Sequence, residues 1–342
     1  MIVNNLNHRT EVWIKALTAS VFCIGISVCL SWFIGVHQLT RLIDASSEML
    51  FTTALLFSIC AYANFCLLIG RKNGAAIAAL IILSVSIITL IRYFSETKFQ
   101  TISLFLENDA IKPYLDVMAM NTAVTFIFAA ASIYLNSFYR SSAWSQALAS
   151  VMSMLVLVLG TVSVVGYVAD LSGAYQWAGL NPMALATGIT FMVLGAALLL
   201  SSIRTSKAHA WHQVPWLAIS LGVGLATVTG LIWSAFNAQY MAQSRNASDA
   251  LLALGMSVSM LVAALVAQLR HVRLQAEQLT RVNAEISDLY ENAPCGYHSL
   301  DKQGVFLKIN RTELEWLGYS RDELIGLMPI SKLLTADSLA LF

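Results

Sequence analysis

The sequence predicts a mostly α-helical membrane protein. Its expected architecture is an eight-span transmembrane helical bundle with a cytoplasmic N-terminus, whose exit helix continues as a coiled coil into a truncated α/β module. Three observations predict this. Of 342 residues, 58% are hydrophobic and 11% charged, with a mean hydropathy of +0.69, whereas a soluble domain carries about 25% charged residues. Eight apolar runs each approach the roughly 20 residues a helix needs to cross the hydrocarbon core. The last run does not stop at the membrane but passes through a heptad into a polar, turn-rich end beginning at Leu289.

The eight runs lie at 12–36, 49–69, 74–93, 117–139, 146–168, 182–203, 214–235 and 250–269. They follow a short tail, 1–11, and form a membrane domain over 12–269. The first run is too long for a signal-peptide core and lacks a small-residue cleavage site, so it is expected to stay as a span. Asn181-Pro182 and Pro215 punctuate helix starts. Trp13, Trp32, Trp144, Trp177, Trp211, Trp216 and Trp233 lie near span ends, as an interfacial aromatic belt requires. Loop charges set the orientation. One side holds Arg9, Lys15, Arg71, Lys72, Arg140, Arg204 and Lys207 against Glu11. The other holds Arg41, Arg92, Lys98, Lys112 and Arg245 against Asp44, Glu48, Glu96, Glu107, Asp109, Asp116, Asp170 and Asp249. Lys/Arg excess marks the cytoplasmic side, which places both termini inside.

Three spans open alike: "MLFTTALLF" at Met49, "MAMNTAVTF" at Met118 and "MALATGITF" at Met183. Thr53, Thr122 and Thr187 fall in register, as do Phe57, Phe126 and Phe191, at spacings of 69 and 65 residues. This reads as an internal repeat of helical hairpins, 49–93, 117–168 and 182–235, although apolar helices with small residues also resemble one another by chance. Thr beside a small residue suits close helix packing, which is the first role expected of these positions.

No Asp, Glu, Lys, Arg or His lies mid-span, which weighs against proton relays and ion-coupled transport. Asn64, Asn121 and Asn136 are expected to bond between helices. Cys23, Cys29, Cys60 and Cys66 fall within spans and read as small apolar side chains. His37, His209 and His212 form no pairing that suggests haem, and no cofactor or metal site is identifiable. In the loop 95–116, Phe99, Ile102, Phe105 and Leu106 recur at helical spacing, either as an external sensing surface or as a plain interfacial helix. No basic stripe points to nucleic acid.

Beyond the last span, Leu265, Leu269, Val272, Ala276, Leu279, Asn283, Ile286 and Tyr290 follow one another at gaps of 4, 3, 4, 3, 4, 3 and 4. That is a heptad seam with a lone Asn at an a position, which fixes register in parallel dimers. The expectation is a two-stranded coiled coil over 265–290; the alternative is a single amphipathic helix lying on the membrane.

At the end, Pro294 stops the helix. "GYHSLD" and "VFLKIN" read as strands around the "DKQG" turn, with Val305, Leu307 and Ile309 expected on one face. Asn310 with Glu313 caps a helix through Leu317; Gly318 ends it; Ser320 with Glu323 caps the next. The stretch "LYENAPCGYHSLDKQGVFLKINRTELEWLGYSRDELIG" resembles the first half of a PAS domain of the S-box type. The resemblance covers 287–342 and rests on Asn292, Pro294 and Gly296 at the entry, Asp301 and Gly304 at the turn, Asn310 at the helix start, and Gly318, Tyr319 and Gly326 beyond it. It implies a five-stranded antiparallel sheet with helices on one face, of which only two strands precede Phe342. Either the chain is a fragment of a longer receptor, or its end is poorly ordered, or a partner completes the sheet. In that family haem or flavin contacts come largely from the half not seen here, so no cofactor follows, and Cys295 and His298 read as strand residues.

The membrane part resembles the multi-span sensory regions that precede PAS, histidine kinase or diguanylate cyclase modules in bacteria. The implied protein is a receptor input module of the bacterial inner membrane. It would act as a homodimer through the coiled coil and pass a periplasmic or membrane cue to an output domain or response regulator, a histidine kinase first and a diguanylate cyclase second. No kinase or cyclase motif is present in these residues, so this chain is not expected to be an enzyme. The competing expectations are a small-molecule transporter or channel with a regulatory tail, and a truncated adaptor of a full-length receptor.

Overall fold

The structure, a computed structural model, describes residues 2–35, 47–94, 117–138, 143–177, 180–205, 216–240, 245–335 and 338. The loop 95–116, His37, His209, His212 and Trp211 lie outside the described residues. The helices are α1 (Ile2–Ile34), α2 (Phe51–Leu68), α3 (Lys72–Phe94), α4 (Met120–Phe138), α5 (Ala143–Val168), α6 (Ser172–Tyr175), α7 (Leu185–Thr205), α8 (Leu217–Tyr240) and α9 (Arg245–Glu291). Two strands, β1 (His298–Leu300) and β2 (Phe306–Ile309), and two short helices, α10 (Arg311–Leu317) and α11 (Arg321–Leu324), follow. The chain divides into a unit ending at Arg270 and a unit starting at His271, with α9 running through the boundary.

Among the described residues, seven helices are long and apolar enough to cross a membrane: α1, α2, α3, α5, α7, α8 and α9. The expected fourth span is helical as α4, yet it falls outside this set. Its polar content explains why: Asn121, Thr122, Thr125, Ser132, Asn136 and Ser137 are all buried. A helix enclosed by others carries polar groups that a lipid-facing helix cannot. The same inversion runs through the whole unit. Ser, Thr and Asn side chains are buried, while Phe33, Ile77, Ile88, Leu148 and Val168 are exposed. In water such an apolar exterior would aggregate; in lipid it is the solvated face, and interior hydroxyls hydrogen-bond to backbone or across helices.

Helices α2, α4 and α7 touch one another at the centre. Around them α1 contacts α2 and α7, α3 contacts α2 and α4, and α5 contacts α4 and α7. Six helices thus form an inner triangle inside an outer one. Helices α5 and α7 approach closely because glycine removes the side chain that would keep the backbones apart. A Cβ on Gly160 would sit 2.7 Å from the Gly188 carbonyl oxygen, and one on Gly195 would run into the Leu157 backbone. Helix α8, expected to pair with α7 as the third hairpin, packs chiefly on α5 and α6.

The tryptophans divide differently from the expected belt. Trp13 and Trp144 are exposed, but Trp32 and Trp216 are buried in the protein. Of the span cysteines, Cys29, Cys60 and Cys66 are buried and Cys23 is exposed.

The C-terminal unit, by itself, is a hairpin with two helices on a small core. Strands β1 and β2 pair antiparallel, His298 with Ile309 and Ser299 with Lys308, after which Leu300 pairs with Phe306. The skipped residue is Leu307. This bulge corrects the expected face: an extra residue reverses the alternation, so Phe306 and Ile309 are buried while Leu307 is 52% exposed. Phe306, Ile309 and Leu324 form the core, with Leu300, Leu314, Leu317, Ile325, Met328, Ile330 and Leu333 against it. The segment after α11 also covers part of the strand edge. Phe306 donates its N–H to the Met328 carbonyl, Gly326 to Phe306 and Ile330 to Gly304.

Candidate functional site

The register of the repeat becomes a set of layers at the centre of the bundle. Phe57, Phe126 and Phe191 come from α2, α4 and α7, and all are fully buried. Their ring centroids stand 4.9, 4.6 and 4.8 Å apart, mostly edge to face. That is the favoured aromatic geometry, and each contact adds about 0.5–1.5 kcal/mol beyond area burial. The triad fills the axis.

One helical turn towards the N-terminal ends of these helices, Thr53, Thr122 and Thr187 line a cavity of about 230 Å³. The rest of its wall repeats as well. Leu50, Ala119 and Ala184 stand three residues before the threonines, and Glu48, Val117 and Pro182 five before. Ser47 and Asn181, six before, complete the lining. The cavity is therefore walled by three equivalent strips of chain, with the phenylalanines one turn below.

The methionines of the motif face the protein, not the cavity. Met49, Met118 and Met183 are buried, and each carbonyl accepts one hydrogen bond from an aromatic side chain on the preceding long helix. Trp32 Nε1 of α1 donates to Met49 at 3.0 Å, Tyr93 Oη of α3 to Met118 at 3.0 Å, and Tyr167 Oη of α5 to Met183 at 2.9 Å. Sequence reading missed these three donors, since their spacing to the methionine is 17, 25 and 16 residues. The available signal was an aromatic with a polar tip near the end of each preceding span.

The threonine hydroxyls lack the backbone bond that several other hydroxyls of the bundle make, and those of Thr52 and Ser163 also find no partner among the described residues. Thr125 and Thr190, three residues further on, donate to the carbonyls of Asn121 and Ala186, as do Ser58, Ser86 and Ser202 to theirs. Thr53, Thr122 and Thr187 are 3%, 2% and 2% exposed, yet their hydroxyls enter no hydrogen bond among the described residues. They stand in the first turn of their helices, where backbone N–H groups lack intrahelical acceptors. The Thr122 N–H is taken by Asn121 Oδ1 at 2.9 Å, whereas those of Thr53 and Thr187 meet no acceptor among the described residues.

Towards the other ends of these helices the interior becomes polar again. Asn64 donates to Thr18 at 2.8 Å and accepts from Ser201 at 2.9 Å; Asn136 donates to Ser202 at 3.0 Å; Ser132 and Ser153 share a bond of 2.7 Å. Glu11 of α1 pairs there with Arg204 of α7 at 3.1 Å. Among the described residues no Asp, Glu, Lys, Arg or His is fully buried, and no group of three or more His, Cys, Asp or Glu could hold a metal.

The seam of α9 is open in the single chain: Leu265, Leu269, Val272, Ala276, Leu279, Asn283 and Ile286 are exposed. Tyr290 is half-buried and its hydroxyl donates to the Tyr297 carbonyl at 3.2 Å. Burial, then the carboxylate of Glu291, push the phenol up.

The motif residues of the C-terminal unit converge on Asn310, which is fully buried. Its Oδ1 accepts from the N–H groups of Tyr297 and Glu313, and its Nδ2 donates to the carbonyls of Tyr290 and Cys295. Helix α9, the entry loop, β2 and α10 are thus tied by one side chain. Gly296 is needed beside it, because a Cβ there would lie 3.0 Å from Glu313. Asp301 Oδ1 accepts from Gln303 and Val305 to close the hairpin turn, with Gly304 at φ 79°. Gly318 at φ 76° ends α10, and Gly326 at φ 70° closes the turn after α11. Asn292 donates to Asp288, Pro294 follows the helix end, and Tyr319 is 38% exposed. Arg321 forks onto Glu291 at 2.7 and 2.8 Å and donates to the Ile309 carbonyl. His298 bonds Glu313 at 2.7 Å, and Cys295 is exposed. Compared with family models, curated proteins and solved structures, the chain gives no match.

Proposed function

We propose that the chain is the input module of a bacterial membrane receptor. Eight helices, α4 included, sense a cue at the outer face; α9 carries it through a dimeric coiled coil to a PAS module, and an output domain or response regulator reads it. The observation that carries this reading is α9 itself. One uninterrupted helix of 47 residues holds an apolar span, then the heptad, and ends at Glu291, where Arg321 and the backbone of α10 grip it. A continuous helix converts a shift or rotation at one end into the same motion at the other, because its backbone bonds resist axial strain.

The apolar part of α9 has little protein around it. Leu251, Leu254, Met260 and Leu261 are exposed in the single chain, leaving surface for lipid and a second copy. The charge distribution of the loops supports a cytoplasmic C-terminal unit and the cell membrane as its location. The filled axis and the uncharged interior favour a receptor over an ion-coupled transporter. This chain is proposed to act without catalysis of its own, with a histidine kinase as the first output and a diguanylate cyclase as the second.

Cross-linking tests the dimer in native membranes. Leu279→Cys, on the seam, joins two chains under mild oxidation, while Arg281→Cys, two residues away on the outer face, does not. Equal cross-linking at both sites, or none at Leu279→Cys, removes the coiled coil and the relay with it.

A further inference from the structure

We propose that the threonine-lined cavity binds a small hydrogen-bond-accepting molecule of the short-carboxylate class. Three threonines, each at least 97% buried as residues, line one cavity, and among the described residues their hydroxyls enter no hydrogen bond. Hydroxyls that line a cavity and bond no protein group stand ready for a molecule held inside it. A Thr in a helix can satisfy itself by bonding back to a carbonyl, and Thr125 and Thr190 of the same helices do.

The polarity of the site selects the ligand. Three helix N-termini converge on it, each equivalent to about half a positive charge, and the N–H groups of Thr53 and Thr187 are open. Among the described residues no basic side chain lines the cavity, and the one carboxylate among them, Glu48, has an interaction of its own. Donors therefore outnumber acceptors where the hydroxyls stand, which favours carboxylate oxygen over an ammonium group. On α4 the Asn121 side chain already occupies the Thr122 N–H. The carboxylate is accordingly placed towards α2 and α7. Leu50, Val117, Ala119 and Ala184 offer apolar wall to a short alkyl chain, and 230 Å³ admits only a few heavy atoms beside it. The site rests on the bundle alone and stands whether or not α9 relays a signal.

Saturation-transfer NMR on the full chain in nanodiscs, with propionate as probe and propylammonium as its charge-reversed counterpart, tests this directly. Propionate receives saturation and propylammonium does not. The double variant Thr53→Val with Thr187→Val, which removes the hydroxyls but keeps the shape, binds propionate about tenfold more weakly or worse. Ala184→Leu, which fills the cavity from another strip, abolishes binding and serves if the double variant fails to fold. Equal propionate binding by wild type and Ala184→Leu, preference for propylammonium, or no transfer to propionate overturns the proposal.

Discussion

The membrane bundle and the C-terminal unit solve the problem of a defined interior in opposite ways. The bundle spreads the task over a threefold pattern: three phenylalanines, three threonines, and three aromatic donors on three methionine carbonyls. The C-terminal unit concentrates it in one side chain, since Asn310 alone makes four hydrogen bonds that join four segments. The difference follows from the solvent. In lipid, helices gain nothing from burying apolar surface, so repeated close packing must hold them. In water, a unit with a core of only a few residues has little hydrophobic stabilisation, and a buried polar hub supplies connectivity that the core cannot.

The sharpest break of this comparison is a pair of substitutions. Phe126→Ala removes one side of the triad and costs about 3–5 kcal/mol. It lowers the melting temperature of the bundle in detergent while protease resistance across 295–333 stays unchanged. Asn310→Ala does the reverse. It leaves two N–H groups and two carbonyls without their partner, at about 1 kcal/mol or more each, and exposes 295–333 to protease with the bundle melt unaltered. If either variant disturbs both regions, the two interiors are not independent.

A smaller effect tests whether the three strips are equivalent. Tyr93→Phe and Tyr167→Phe each remove one hydroxyl and leave a methionine carbonyl short of a donor, costing about 1 kcal/mol apiece. Equal losses in thermal stability support the repeat; a loss at one site only shows that the pattern is geometric without being energetic.

The smallest effect is set by pH. The N–H and hydroxyl of Ser320 both donate to Glu323, holding its carboxyl below the usual range. A depressed folded-state value contributes stability that is present above the ordinary carboxylate value, about 4.3, and lost as pH falls through the lower folded value. Amide exchange of α11 therefore accelerates in that acid window. Glu323→Gln removes this pH dependence and leaves exchange near neutral pH slightly faster.

Much of the C-terminal unit was legible in the sequence because its signals are local. Caps at Asn310 and Ser320, and the Asp301–Gly304 turn, are set by residues within four positions of one another. The face of β2 was not legible, because the bulge at Leu307 depends on the partner strand. In the bundle, the period of the repeat was readable, but packing was the first role it suggested for Thr and Phe alike. Register places the two sets one turn apart, and tertiary structure separates their roles: the phenylalanines meet and close the axis, whereas the threonines flank a space.

By itself the sequence determined that this chain is rich in helices apolar enough to span a membrane, where the capped helices of the C-terminal unit start, and which residues of three spans correspond. Those properties depend on composition and on neighbours along the chain. Tertiary structure alone decided that α4, with six buried Asn, Ser and Thr side chains, belongs at the centre, that Trp32, Tyr93 and Tyr167 hold the methionine carbonyls, and that three distant threonines share one cavity. Contacts across 16 to 137 residues depend on how the helices are arranged around the axis, and no spacing within a single helix encodes that arrangement.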